Sequence, residues 1–173
     1  MEGIVVRRVI PSDNSCLFNA VGYVMDHDKL KAPQLRQVIA ATVASDPAKY
    51  SEAFLGKPNE EYCAWILDSD KWGGAIELSI LAEHYGREIA AYDIQNTRCD
   101  LYGQEMRYSE RVMLIYDGLH YDALAVTSIF CLLPSFLWLT LSPPLLFQLL
   151  QCSFQDTRNL VFLILVFCSF FFR

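Results

Sequence analysis

Charge disappears from this chain after Asp122. From Ala123 to Gln155 there is no acidic or basic residue, and past Asp156 and Arg158 the sequence runs through Leu160–Phe172, almost wholly apolar. Charged side chains are what a soluble domain keeps on its surface, so a domain of that kind is expected over residues 1–126, with 127–173 as an apolar tail. A length of that order suffices for one hydrophobic core. Composition therefore has to be read in two parts. Of 20 acids and 14 Lys/Arg, only Asp156, Arg158 and Arg173 lie in the tail, which leaves 19 against 12 and a charge near −7 before it. That balance argues against nucleic acid, whose binders are basic. It suits a partner with a positively charged reactive end, where complementarity assists the encounter rate.

The first 126 residues change pattern along their length. Ile4 to Ile10 is an apolar, β-branched run interrupted by Arg7-Arg8 and ended by Pro11, which predicts an opening strand. Asp13-Asn14-Ser15 supply turn and cap residues, and Leu17, Ala20, Val21 and Val24 then recur at helical spacing. Pro33 starts a second helix with Leu35, Val38, Ile39, Thr42 and Val43 on one face, stopped at Asp46-Pro47. Asn59 is expected to cap a short helix that buries Tyr62, Trp65 and Ile66. Gly73-Gly74 leads into another, with Ala75, Leu78, Ser79, Ala82 and Tyr85 aligned and Gly86 as its stop. Glu88–Ile94, Arg98–Tyr102, Val112–Tyr116 and Tyr121–Val126 read as strands, the last two joined through Asp117-Gly118. Helices first and a meander of strands later predict an α+β fold, with helices packed around a small central sheet.

Chemistry concentrates at the two ends of this segment. Cys16 falls at the first helical position, where unpaired N–H groups stabilise an anion. Helix N-termini and a neighbouring imidazolium can lower a thiol pKa from about 8.5 to roughly 3.5–7.5. The same N–H groups could hold the oxyanion of a tetrahedral intermediate. Cys63 and Cys99 read as ordinary structural thiols. Of the three histidines, His27 and His84 fall on predicted helices without a carboxylate at strand spacing. His120 and Asp122 are two apart on a predicted strand and so share a face, with the carboxylate placed to hold one ring nitrogen. Nucleophile, base and orienter are the parts of a thiol hydrolase.

Asp13-Asn14-Ser15-Cys16 and Leu119-His120-Tyr121-Asp122, with Trp72-Gly73-Gly74 between them, resemble the ovarian tumour (OTU) family of deubiquitinating cysteine proteases over residues 4 to 126. The likeness is strongest to the branch that works beside the hexameric AAA ATPase segregase. It implies a papain-like OTU fold, with Cys16 as nucleophile and His120 as general base. Asp13, from the family's D-x-x-C loop, and Asp122 both stand as the third member. Strand geometry favours Asp122 as the orienter, while the loop position favours Asp13 in shaping the oxyanion site. Asn14, Ser15, Trp72, Gly73, Gly74 and Leu119 are the candidates for contact with substrate. The implied partners are ubiquitin and polyubiquitin chains. The segregase is expected to be a weaker prospect, because the ubiquitin-like N-terminal domain that docks it in resembling enzymes has no counterpart here. No metal or organic cofactor is expected.

The tail admits two readings. Ile129 to Leu150 approaches the roughly 20 apolar residues that span a bilayer, but Pro134, Pro143 and Pro144 break it. Alternatively its Phe, Leu, Ser, Cys, Ile and Val are what pyrimidine-rich codons specify in an aberrant read-through, and this reading is favoured. Cys131, Cys152 and Cys168 lack CxxC spacing and no histidine follows His120, so they do not form a C2H2 zinc finger. The competing function is a catalytically silent ubiquitin-binding or membrane-tethered module. A free thiolate and no N-terminal signal pattern point to a reducing, cytoplasmic setting.

Overall fold

The computed structural model describes residues 3–128, and both readings of the tail lie outside the described residues. The chain opens with β1 (Gly3–Arg8) and then forms α1 (Cys16–Asp26), α2 (Ala32–Ser45), α3 (Glu52–Leu55), α4 (Asn59–Leu67) and α5 (Ala75–Tyr85). It ends with β2 (Glu88–Asp93), β3 (Arg98–Tyr102), a 3-10 turn at Gln104–Met106, β4 (Arg111–Tyr116) and β5 (Tyr121–Ser128). This is the expected α+β class, but the strands are not a simple meander. Their order is β1-β5-β4-β2-β3, with β2 antiparallel to β3, parallel to β4, and β4 antiparallel to β5. The first strand thus lies beside the last, which brings the residues around Arg7 next to those around Asp122.

α1 is the central helix. Leu17, Phe18, Ala20 and Val21 are all buried, and the helix packs against α2 and β4. α5 covers β2 and β3, while α4 lies on α2. Leu35, Ile39 and Val43 of α2, Tyr62 and Ile66 of α4, and Leu78 and Leu81 of α5 fill the space between. Gly86 ends α5 at φ 62°, the left-handed stop that its position predicts.

Several local expectations need correction. Asn59 is the first residue of α4 and not its cap; its amide donates to Val43 O and Tyr50 O, both at 3.0 Å. A tertiary tie has taken over a side chain whose local preference is capping. On α5, Ala75 and Ser79 face solvent, and the buried face instead carries Glu77, Leu78, Ile80, Leu81 and Ala82. Glu77 belongs there because its carboxylate accepts from Gly74 N at 2.6 Å and from the Tyr62 hydroxyl. His27 does not lie within α1 but terminates it at φ 59°. β1 stops at Arg8, two residues short of Ile10, and the β4–β5 turn holds Asp117 to His120, so His120 precedes β5.

Candidate active site

The loop before α1 is shaped by Asp13. One of its carboxylate oxygens accepts from Ser15 N at 2.9 Å, the other from Asn19 Nδ2 at 3.5 Å, and Asp13 O accepts from Cys16 N at 3.3 Å. This Asx turn delivers Cys16 to the first helical position, as the sequence predicts. It also engages two of the N–H groups that the sequence offers for an oxyanion. The Cys16 thiol is half-buried. Contrary to the lowering expected at a helix start, its pKa stands above the ordinary thiol value. Burial is the main cause, and the Asp13 charge adds to it; hydrogen bonds from the backbone at Tyr121 and Leu17 pull the other way without winning.

His120 is placed by its turn. Asp117 accepts from His120 N at 2.8 Å and Leu119 N at 3.1 Å, and Asp117 N donates to His120 O at 3.2 Å. These contacts hold the Asp117 carboxyl below its usual range. The turn needs a glycine at 118, where φ is 96° and any Cβ would lie 2.6 Å from Gln95. Tyr116 Oη closes the loop by donating to Gly118 O at 2.6 Å.

His120 Nε2 lies 3.2 Å from Asp122 Oδ1, so the pair that the two-residue spacing predicts does form. Asp122 is 1% exposed. Burial alone would raise its pKa, but the Ile10 N–H, at 2.7 Å from Oδ1, and the Arg7 guanidinium together hold it below the usual carboxylate value. An ionised Asp122 fixes the proton on Nε2 and leaves Nδ1 as the free basic nitrogen. Asp13 lies in the loop before α1 and bonds Ser15 and Asn19, whereas Asp122 bonds the ring.

Cys16 shares a small cleft of about 120 Å³ with Asn14, Leu17, Trp72, Gly73, Gly74, Tyr116, Leu119 and Tyr121. Trp72 and Leu119 stand at its mouth, 57% and 71% exposed, and Trp72 Nε1 donates to Asn14 Oδ1 at 2.7 Å. Ser15 alone of the sequence-named contacts lies off the cleft, where its hydroxyl accepts from Arg36 at 3.0 Å. His120 lines a second crevice with Arg7, Ile94, Ile115, Asp117 and Asp122. Leu119 and Tyr121, on either side of His120 in the chain, line the Cys16 cleft and so link the two. Among the described residues, Cys16 and His120 make no direct hydrogen bond.

Two features escape the sequence reading. Arg36, 3% exposed, donates to Ile66 O at 2.9 Å, Lys71 O at 2.7 Å and Ser69 O at 3.3 Å. It thereby pins the Cys16 loop to the Trp72 loop while its guanidinium lies 4.1 Å over the Phe18 ring. The signal was available: Arg36 sits between Leu35 and Ile39 on the apolar stripe of α2. Tyr116 and Tyr121, stacked at 4.4 Å, form the cleft's inner wall. Strand alternation points to Tyr121, because it must face away from Asp122.

A thiol at a helix start, in a cleft lined by the residues on either side of a histidine that pairs with a carboxylate, has the parts of a thiol hydrolase. The chain belongs to the OTU-like cysteine protease family, whose profile matches residues 11–123. It is 82% identical over 127 residues to the ovarian tumor domain-containing deubiquitinating enzyme 2 of Arabidopsis thaliana, which covers 73% of this chain and 61% of that protein. It is 56% identical over 124 residues to the ubiquitin thioesterase OTU1 of Danio rerio, covering 70% and 41%. The chain therefore spans less than two thirds of the length of these curated relatives. A solved structure of an ovarian tumor domain in complex with ubiquitin superposes with a TM-score of 0.68 at 31% identity, covering 73% of this chain and 72% of that one.

Proposed function

We propose that this chain is a deubiquitinase that hydrolyses the isopeptide bond between ubiquitin's C-terminal glycine and a lysine. The observation that carries it is the His120–Asp122 pair, set in the chain between Leu119 and Tyr121, both of which line the Cys16 cleft. The names of the relatives and the ubiquitin-bound neighbour support the choice of substrate. His120 Nδ1 takes the thiol proton as its ring turns to the sulfur, and the Cys16 thiolate adds to the glycine carbonyl. Collapse of the tetrahedral intermediate breaks the C–N bond, with the His120 proton going to the lysine amine, and leaves a thioester. His120 then deprotonates water, which adds to the thioester carbonyl; collapse breaks the C–S bond, releases ubiquitin as its carboxylate, and returns the proton from His120 to the Cys16 sulfur. Burial raises the thiol above its ordinary pKa, so the imidazole serves to take its proton. Asp122 orients the ring, and Asp13 shapes the loop.

The raised walls at Trp72 and Leu119 and the absence of side chains at Gly73 and Gly74 suit a narrow, glycine-ended peptide. The net negative charge suits a basic approach to it. A free thiol also fits a reducing, cytoplasmic setting. Segregase docking and membrane association through the tail are not part of this proposal. Cys16→Ala should abolish diubiquitin cleavage while keeping the thermal transition of the wild type. Cleavage by a folded alanine variant at the wild-type rate would remove the assignment.

A further inference from the structure

The Arg7-Arg8 pair lies within β1 rather than interrupting it, and Arg7 finds its use at the Asp122 carboxylate. Arg7 Nε donates to Asp122 Oδ2 at 2.6 Å, and Nη2 reaches the same oxygen in an ion pair. Its side chain is 52% exposed, whereas that of Asp122 is 1% exposed. The two carboxylate oxygens are thereby divided. Oδ2 belongs to Arg7, and Oδ1 to Ile10 N and His120 Nε2. Both partners other than His120 come from β1 and the residues just after it. The family match begins at residue 11, so the strand that carries Arg7 lies before it.

We propose that Arg7 is a positioning residue of the thiol site, acting on His120 through Asp122. The inference rests on the reading of Cys16 and His120 as the reacting pair. A buried carboxylate can rotate about its last bond unless both oxygens are engaged. Two donors on Oδ2 fix the plane that presents Oδ1 to the ring. The guanidinium also balances the charge that Asp122 would otherwise direct wholly at His120. Hydrogen bonds to charged groups are among the stronger ones. A lysine at position 7 restores the charge but supplies one point of contact where the arginine fork supplies two.

The test is steady-state diubiquitin cleavage by the full chain carrying Arg7→Met, Arg7→Lys, Asp122→Ala, or Arg7→Met with Asp122→Ala. Arg7→Met should lower kcat about tenfold, the loss typical of removing a hydrogen bond to a charged group, with KM unchanged. Arg7→Lys should recover part of that loss. In the Asp122→Ala background, Arg7→Met should cost nothing further, because the group it acts on is gone. A wild-type kcat in Arg7→Met, a loss confined to KM, or an equal loss in both backgrounds would overturn the proposal. Should Asp122→Ala fail to fold, the Met-against-Lys comparison decides alone, since position 7 is half exposed and tolerates both. Failure of the underlying reading looks different: Cys16→Ala would then cleave like the wild type, or the folded wild type would not cleave at all.

Discussion

At the residue scale the site is a contest between burial and hydrogen bonding, and the outcome differs for its two acids. For Cys16 burial wins and the thiol is held neutral; for Asp122 the donors win and the carboxylate is held ionised. Alkylation of Cys16 by iodoacetamide should accordingly rise with pH through a midpoint above the ordinary thiol value of about 8.5. A midpoint below neutrality would mean that a resting thiolate already exists. The network also changes what an amide at position 122 should do. An amide can orient a ring, which from sequence alone makes Asp122→Asn milder than His120→Ala, itself expected to cost about 10² to 10⁴ in turnover. Here, however, donors from Arg7 and Ile10 converge on both oxygens, so one must face the new NH₂ group. Asp122→Asn should therefore lose about 1–3 kcal/mol of stability as well as turnover, read by urea unfolding; an unchanged midpoint would contradict the network. Much of this was legible. The spacing of His120 and Asp122 and the turn before Cys16 are local, and local physics fixed them. Arg7 and Arg36 were not, because their partners lie 115 and as many as 35 residues away.

Elements explain why those distant partners meet. The sequence shows four of the five helices and all five strands with few errors of extent, since periodicity and stop signals act over a few residues; it misses α3, whose four residues are too few to carry a period. It does not show that β1 returns beside β5, or that β4 runs parallel to β2, because strand order is set by packing of the whole domain. Capping at Asn59 and the buried face of α5 failed for the same reason: Val43, Tyr50 and Tyr62 outbid the local preference. The Trp72–Gly74 loop meets α1 at similarly close quarters. A Cβ on Gly73 would lie 2.7 Å from Phe18 Cζ and 3.2 Å from Leu17 Cδ2. Phe18 cannot yield, being fully buried beneath the Arg36 guanidinium. Gly73→Ala should cost about 1–3 kcal/mol through overpacking and reduce cleavage by shifting the first turn of α1. Wild-type stability in that variant would show that the cleft wall is more yielding than this packing implies.

For the whole molecule, the candidate site and its supports lie between Arg7 and Asp122, ahead of the uncharged stretch. A chain ending after Ser128 keeps all of β5, whereas one ending at Val126 trims two of its residues. The longer truncation should be more soluble than the full chain and equally active per folded molecule, because long exposed apolar stretches promote association. A folded truncation with diminished cleavage would assign the tail a role in catalysis or binding. The central claim is that Cys16, prepared by His120, attacks ubiquitin's C-terminal carbonyl. Its most direct test is incubation of the full chain with ubiquitin bearing a C-terminal vinyl electrophile, followed by intact-mass and peptide-mapping mass spectrometry. The expected result is a single adduct at Cys16, absent in Cys16→Ala and strongly slowed in His120→Ala. A folded wild type that stays unmodified, or an adduct on Cys63 or Cys99, would contradict it.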